Sequence, residues 1–241
     1  MGATARPAAH LFRVSRLFSR RAQGGGAAET PRDPRCVPPP LPYLRHLLDR
    51  LAGQGRESGD ARGGAARVPR ARGGSPVNQD ILAAIGAPAG FTLSDLNDGL
   101  VLANRGGEVR YYVRNSSAGF EVTRAERSED ERFGMATAHE EHVHRYLTIE
   151  LGSSIRFGPE LAPIWLPHMP DDLAPGFALE VEGPRATLSA NGVVHGTFSH
   201  DPHMAPAVEF SWVAALPVDG LLQSFLDEKG EPFLARWLVE A

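Results

Sequence analysis

The charged residues of this chain are distributed so unevenly that its two parts cannot share one kind of structure. Residues 1–76 contain fourteen Arg, no Lys and five acids, a net charge of 14 − 5 = +9. Residues 77–241 contain eleven basic residues and twenty-four acids, a net charge of 11 − 24 = −13. The first part is also crowded with Gly, Pro and Ala, a composition that buries too little apolar surface to offset the entropy of ordering. We therefore expect residues 1–76 to be a disordered basic extension and residues 77–241 to form one folded domain.

The basic extension allows three interpretations. The gene start is over-extended and Val77 is the true first residue, or the extension is genuine but disordered, or its beginning is a targeting segment. The third interpretation rests on LFRVSRLFSRR, which places Leu11, Val14, Leu17 and Phe18 on one helical face among arginines and resembles a mitochondrial transit peptide. The sequence leaves all three open.

Period-two alternation dominates the first half of the domain. The segments FTLSDL, LVLAN, EVRYYVR, GFEVTRAER and RFGMATA alternate apolar and polar residues, and NDG, NRGGE and NSSAG separate the first four. Because Gly and Asn tolerate the positive φ of tight hairpins, this pattern predicts an antiparallel meander with one buried face. Further on, FALEV and AVEFSWVAAL are predicted strands, and ATLSANGVVHGTFS is a predicted hairpin turning at Asn191-Gly192.

Three segments are predicted to be helical. DILAAIGAPAG is typical of a short helix ended by Gly86, AHEEHVHRYLTIELG of a central helix, and Asp219 to Glu228 of a third with Leu222 and Phe225 inward. The fold class that follows is α+β: an antiparallel sheet of about six to eight strands with about three helices packed on it.

Several function classes have no motif in the sequence. There is no G-x-S-x-G elbow, no G-x-x-x-x-G-K-[ST] phosphate loop and no dinucleotide-binding glycine pattern. No apolar run approaches the eighteen residues of a membrane span, and the only cysteine, Cys36, lies in the extension. The motifs therefore give no positive evidence for an enzyme, the lone cysteine is typical of a cytosolic protein, and we expect no membrane-spanning segment.

A run of histidines in the central helix raises the question of a metal site. His139, His142 and His144 are separated by three, two and five positions, whereas zinc proteases place two histidines four apart on one helical face. An amphipathic helix is therefore favoured over a zinc site. Its predicted inward residues are Val143, Tyr146, Leu147 and His139, and its predicted outward residues are Glu140, Glu141, His144 and Arg145.

A second histidine cluster keeps an alternative open. His195, His200 and His203 lie in HGTFSHDPH, where a strand end meets a loop. A surface loop is the favoured interpretation, but a site built jointly from both clusters would make the chain a metal-dependent or small-molecule enzyme. The candidate ligands of that alternative are His139, His142, His195, His200 and His203.

The acidic residues of the domain gather in predicted turns. A net charge of −13 repels nucleic acid and membrane surfaces and speeds encounter with a basic protein surface. The simplest alternative is that the charge only keeps the protein soluble. Charge alone thus points to a protein partner without identifying one.

The order of the segments resembles a known family. FEVTRAERSEDERFGMATAHEEHVHRYLTIELGSSIR, with Arg145-Tyr146-Leu147, Leu151-Gly152 closing the helix and Ile155-Arg156 after it, is similar to the mycobacterial immunity proteins of polymorphic toxin systems, the family that includes the antitoxin of the tuberculosis necrotizing toxin. DDLAPGFALE and LLQSFLDEKGEPFL look similar as well. The resemblance covers roughly residues 78–234.

The resemblance implies a cytosolic, non-enzymatic antitoxin that binds an NAD-degrading toxin and blocks its active site. It implies a protein partner, no cofactor and no catalytic residue, and it leaves a bare protein-interaction domain as a third reading. The predicted toxin-binding residues are acids of two loops, because a cleft shaped for the phosphates of NAD favours carboxylates. They are Glu126, Glu129, Asp130, Glu131, Asp171 and Asp172. Arg127 and Arg156 are expected to be structural, pairing inside the fold.

Overall fold

The computed structural model describes residues 77–157, 160–201 and 205–239. The expectations about residues 1–76, and the candidate ligand His203, lie outside these ranges and stay predictions. No helix in the described ranges is long and apolar enough to cross a membrane.

Eight strands form one antiparallel sheet, which confirms the predicted α+β class. Its order is β1-β2-β3-β4-β5-β8-β7-β6, so the meander of the first five strands is joined to a second meander through β5 and β8. The strands are β1 Phe91–Leu96, β2 Gly99–Asn104, β3 Val109–Ser116, β4 Gly119–Glu126, β5 Arg132–Thr137, β6 Phe177–Glu182, β7 Arg185–Ala190 and β8 Val193–Ser199. The predicted hairpin at Asn191-Gly192 is confirmed, and both residues have positive φ, 51° and 76°.

Four α-helices accompany the sheet: α1 Gln79–Gly86, α2 Glu140–Ile155, α3 Pro206–Val213 and α4 Val218–Leu226. Helix α1 begins where the Asn78 side chain accepts hydrogen bonds from the N–H groups of Asp80 and Ile81. The Asn78 N–H donates to Glu140 Oε1 at 2.6 Å, which ties the start of α1 to the start of α2.

The predicted strand AVEFSWVAAL is wrong, because this segment forms α3. Pro206 occupies the first turn of the helix, where its fixed φ fits and its missing N–H costs nothing. The helix is buried on several sides, at Ala207, Val208, Phe210 and Val213 among others. A helix that is apolar nearly all round shows no 3.6-residue period. The sequence of this short apolar segment therefore suggests the two-residue alternation of a strand.

The core lies between the sheet and α2, with Val143, Leu147 and Leu151 fully buried against strand residues such as Phe198. A second, smaller cluster lies under α4 and the C-terminal segment. It consists of Leu166, Val213, Leu221, Phe225 and Leu234. Helix α2 contacts both regions, so it joins the sheet to the C-terminal part of the fold.

The predicted faces of α2 are partly wrong. Val143, Tyr146 and Leu147 are buried as expected, but His139 is exposed, whereas His144 and Arg145 are buried. The outward face is therefore narrower than an amphipathic pattern suggests, because α3 and α4 cover a side of α2 that the sheet leaves free.

The predicted end of α2 at Leu151-Gly152 is also wrong, since the helix continues to Ile155. Gly152 is a packing position instead. A methyl group added there would stand 2.5 Å from Phe225 Cδ1 of α4, so only glycine lets the two helices approach this closely.

We expect Gly152→Ala to destabilise the protein by about 1–3 kcal/mol, because the new methyl group overlaps the Phe225 ring and forces the two helices apart. Urea unfolding followed by circular dichroism measures this. Ser154→Ala, on the exposed side of the same helix, is the control and should change stability by less than about 0.5 kcal/mol. Equal stability of the two variants would contradict the packing role.

Candidate functional site

The six predicted binding acids all lie on exposed surface. Glu126 ends β4, and Glu129, Asp130 and Glu131 form the connection to β5. Asp171 and Asp172 belong to a single 3₁₀ turn, Pro170–Asp172, ahead of β6. The predicted loop positions are thus correct for five of the six, Glu126 being the last residue of β4, while the role of all six in binding stays a prediction.

Three acids of the first loop are paired with arginines of the same protein. Glu126 Oε1 lies 2.5 Å from Arg124 Nη2, and Glu129 Oε2 lies 2.7 Å from Arg132 Nη2. Glu131 accepts two hydrogen bonds from Arg114, at 2.5 and 2.9 Å, and one from the Thr123 hydroxyl. These bonds lower the pKa of Glu131. Most of this loop is therefore held in one conformation by its own ion pairs.

Asp130, Asp171 and Asp172 differ from those three. None of them forms an ion pair with a basic side chain in the part of the chain that the structure describes. The Asp171-Asp172 turn is anchored through its backbone, because the Trp212 indole N–H donates to the Asp172 carbonyl at 2.8 Å. Its two carboxylates are thus positioned by the fold and remain available to a partner.

The two arginines that the sequence predicts to be structural, Arg127 and Arg156, have different environments. Arg156 is buried, and its guanidinium donates to backbone carbonyls of Ala162, Ser224, Phe225, Asp227 and Glu228, which confirms a structural role. The expectation that Arg127 pairs inside the fold is wrong. It is exposed in the turn after β4, with φ of 50°, and its N–H donates to the Glu108 carbonyl.

Behind the first loop lies a polar cluster in which Tyr111 is buried and Arg124, Glu150 and Glu209 are partly buried. Arg124 stacks over the Tyr111 ring, whose hydroxyl donates to Glu150 Oε2 at 3.1 Å. Burial raises the pKa of Glu150, and burial together with the nearby Glu150 carboxyl raises that of Glu209 to about 7. Neither acid is among the described residues that line the cavity at the start of α2 or the cavity between Phe157 and Trp165. The cluster connects the sheet to α2 and supports the loop rather than forming a reaction site.

Three of the five candidate metal ligands do come together. The His142 ring lies between His139, with ring centroids 4.9 Å apart, and His195, with centroids 5.2 Å apart. The rings meet edge to face or stacked, and His142 Nδ1 lies 2.8 Å from the His195 carbonyl oxygen. His200 follows the end of β8, where its N–H donates to the Pro184 carbonyl.

This arrangement is packing rather than ligation. Among the residues that the structure describes, no group of three or more His, Cys, Asp or Glu has the geometry to hold a metal ion. The pKa of His142 is lowered to about 4, mainly by burial and also by the neighbouring His139 and His195, although the hydrogen bond to the His195 carbonyl raises it. The His142 ring is therefore neutral at neutral pH.

A cavity of about 510 Å³ opens beside this cluster at the start of α2. Its lining consists of Gly119, Phe120, Ala138, His139, Glu140, Glu141 and His142. Its described lining residues include no Ser, Thr, Cys or Lys, so they offer no nucleophile with a paired base.

Nothing in the sequence pattern predicts that the three tryptophans of the chain lie together. Trp212 and Trp237 meet edge to face with ring centroids 5.7 Å apart, and the Trp165 N–H donates to the Trp237 carbonyl. Arg236 stacks on the Trp237 ring at 3.9 Å. Residues 165, 212 and 237 are too far apart in sequence for any local period to link them. The presence of three tryptophans in the chain is the one feature of the sequence that could have drawn attention to this group.

His144 should make stability depend on pH. Its side chain is 2% exposed, and burial lowers its pKa from 6.5 to about 4. The unfolded state therefore binds more protons between pH 6.5 and 4, so stability present above pH 6.5 is lost as the pH falls through this window. We expect His144→Phe to remove about 2 kcal/mol of the stability difference between pH 7.5 and pH 5.

Urea unfolding at both pH values measures this difference. Leu147→Met, a change of similar volume on the same buried helix, should shift stability equally at both pH values and serves as the control. An unchanged pH dependence in His144→Phe would show that this ring does not titrate as proposed.

Comparisons with known proteins agree on one relationship. The family model described as Immunity protein 61 matches residues 85–233. The chain is 31% identical over 150 residues to the immunity factor for TNT of Mycobacterium tuberculosis and to the immunity factor for TNT homolog of Mycobacterium bovis, covering 60% of this chain and 83% of each relative. The solved structure of Rv3902c from M. tuberculosis superposes with a TM-score of 0.57 at 27% identity, over 66% of this chain and 93% of that one.

Proposed function

This chain belongs to the Immunity protein 61 family, and we propose that it neutralises a cognate toxin by binding over the toxin's active site. We further propose that the toxin degrades NAD, that the encounter takes place in the cytoplasm of the producing cell, and that the chain acts without catalysis. The immunity role itself comes from the family and from relatives that are immunity factors.

The observation that carries the proposal is the extent of the likeness. The match spans 83% of each immunity factor for TNT, and the fold covers 93% of the Rv3902c chain, so the whole domain is shared rather than one motif. An immunity factor acts on a toxin, and a domain of this kind inhibits most directly by covering a site. The sequence resemblance supplies the expectation that the covered site binds NAD.

Electrostatics support a basic target. Residues 77–241 carry a net charge of 11 − 24 = −13, and a cleft that holds the phosphates of NAD is lined by positive groups. Asp171 and Asp172 form no ion pair with a described basic residue, although Arg236 stacks over the Trp212 ring whose indole donates to the Asp172 carbonyl. Glu126, Glu129 and Glu131 are already paired, and their contribution is a pre-shaped loop with a weaker field.

Co-expression is the direct test. The full chain, produced together with its cognate toxin domain, should restore growth that the toxin domain alone abolishes, and cellular NAD should stay at its normal level. Growth arrest and NAD loss in the presence of soluble full chain would refute the proposal. Protection from growth arrest while NAD still falls would refute occlusion of an NAD-degrading site.

We expect Asp171→Asn/Asp172→Asn to slow association with the toxin domain by about tenfold at low salt, and less at high salt, because neutralising acids at the contact weakens electrostatic steering. Stopped-flow or surface-based kinetics measure this rate. The matched control, Glu180→Gln/Glu182→Gln, removes the same charge from exposed positions of β6 and should change the rate less.

Equal slowing in both variants would mean that overall charge, not the Asp171-Asp172 turn, drives association. The corresponding variant of the first loop, Asp130→Asn, separates the contribution of the one carboxylate there that has no ion pair with a described basic residue.

A further inference from the structure

Two aromatic side chains stand out on the surface of the described chain. Phe157 is 87% exposed and Trp165 is 68% exposed, and they flank a cavity of about 530 Å³ that is also lined by Ser153, Arg156, Pro163 and Ile164. We propose that this aromatic surface, defined by Phe157, Trp165 and the cavity between them, receives an apolar side chain of the toxin, one flanked by basic residues. This inference rests on the proposed function, since it assigns the same partner a second contact.

Exposure of this kind is costly for a free protein. The other markedly exposed apolar side chains are smaller, such as Val193 at 57% and Val194 at 55%. A Trp or Phe carries much more apolar area than a Val, and protein interfaces concentrate aromatic residues and arginine at their centres. Single exposed hydrophobic residues are ordinary, but two large rings around one cavity mark a place for a partner.

The aromatic surface is rigidly supported from behind. The Trp165 N–H donates to the Trp237 carbonyl at 3.0 Å, and the Val239 N–H donates to the Pro163 carbonyl at 2.9 Å. Ile164 and Leu238 form an antiparallel bridge between these two bonds. Because the backbone under Trp165 is fixed, a partner that covers the ring loses little conformational entropy in doing so.

The chemistry of the cavity favours an apolar occupant. Arg156 is the one charged residue among the described residues that line it, and this guanidinium already makes five hydrogen bonds to backbone carbonyls. A carboxylate or phosphate entering the cavity would have to compete with those carbonyls. An aliphatic or aromatic side chain needs no donor and gains the burial of Phe157 and Trp165.

The acidic turn is the reason we expect basic residues beside the apolar occupant. Trp212 packs against Trp237, the residue that holds Trp165, and its indole donates to the Asp172 carbonyl. The aromatic surface is thus linked through two tryptophans to Asp171 and Asp172, whose carboxylates favour basic groups at the edge of the contact.

A second copy of this chain fits less well. A two-fold contact would present the same patch on both copies and place the two acidic turns near one another in a domain of net charge −13. Like charges across an interface oppose association. A basic protein partner meets no such repulsion.

The test is the affinity for the cognate toxin domain, measured by calorimetry with an inactive toxin variant and the full chain. We expect Phe157→Ala/Trp165→Ala to weaken binding at least about thirtyfold, mainly through faster dissociation, as truncation of central aromatic contacts does. Trp165→Phe should retain most of the affinity. The control Val193→Ala/Val194→Ala, with similarly exposed apolar residues, should bind like the wild type.

Each failure has its own signature. A wild type that does not bind the toxin domain refutes the proposed function and this inference with it. A wild type that binds, together with a Phe157→Ala/Trp165→Ala variant that binds within threefold, refutes the inference alone. Sedimentation of the chain by itself distinguishes a dimer contact, because a wild-type dimer that the aromatic variant dissolves, with toxin affinity unchanged, would assign the surface to a second copy.

Discussion

The structure depends on how helix α2 is held between the sheet and the C-terminal helices. Its apolar side packs on the strands, while Arg145 and Arg156 extend the other way and donate to carbonyls. Arg145 donates to Leu216 at 2.6 Å. Arg156 donates to Ala162 and to four carbonyls around the end of α4. Each buried guanidinium thus satisfies acceptors that a helix end or loop would otherwise leave unpaired. Together with the close approach at Gly152, these bonds set the positions of α3 and α4 on α2.

These same contacts explain where the sequence was a sufficient guide and where it was not. Strands β1 to β5 follow from alternation and turn residues, because both signals are local. Arg145 and His144 were assigned to solvent because polar residues usually lie there, yet Arg145 is buried since Leu216 and Glu141 satisfy its donors. Glu141 is a local partner four positions away, but Leu216 lies seventy-one positions away, so no local pattern contains the contact that buries Arg145. The strand prediction for α3 is wrong for a related reason, because burial on several sides removes the 3.6-residue period that identifies a helix.

The candidate site shows the same division. The sequence pattern predicts the acidic loops, but it does not show that Glu126, Glu129 and Glu131 pair with arginines whereas Asp171 and Asp172 do not. The histidine spacing likewise suggests candidate metal ligands, but it does not show that the His139, His142 and His195 rings contact one another by their faces and edges. Charge pairing and ring orientation are tertiary properties. Both bear on function: the pairing leaves Asp130, Asp171 and Asp172 without an ion pair to a described basic residue, and the ring contacts of His139, His142 and His195 do not form a metal-ligand geometry among the described residues.

In the proposed complex, acids and aromatics act at different stages of binding. Long-range attraction by the proposed contacts Asp171 and Asp172 raises the encounter rate with a basic surface but contributes little once water is excluded, because carboxylates must lose hydration to pair. Burial of the proposed contacts Phe157 and Trp165 has no long-range component and governs how slowly such a complex separates. A protein that binds a toxin quickly and releases it slowly uses both properties. Contacts through Trp212 and Trp237 connect the turn of Asp172 to the backbone of Trp165, so both proposed contacts belong to one scaffold.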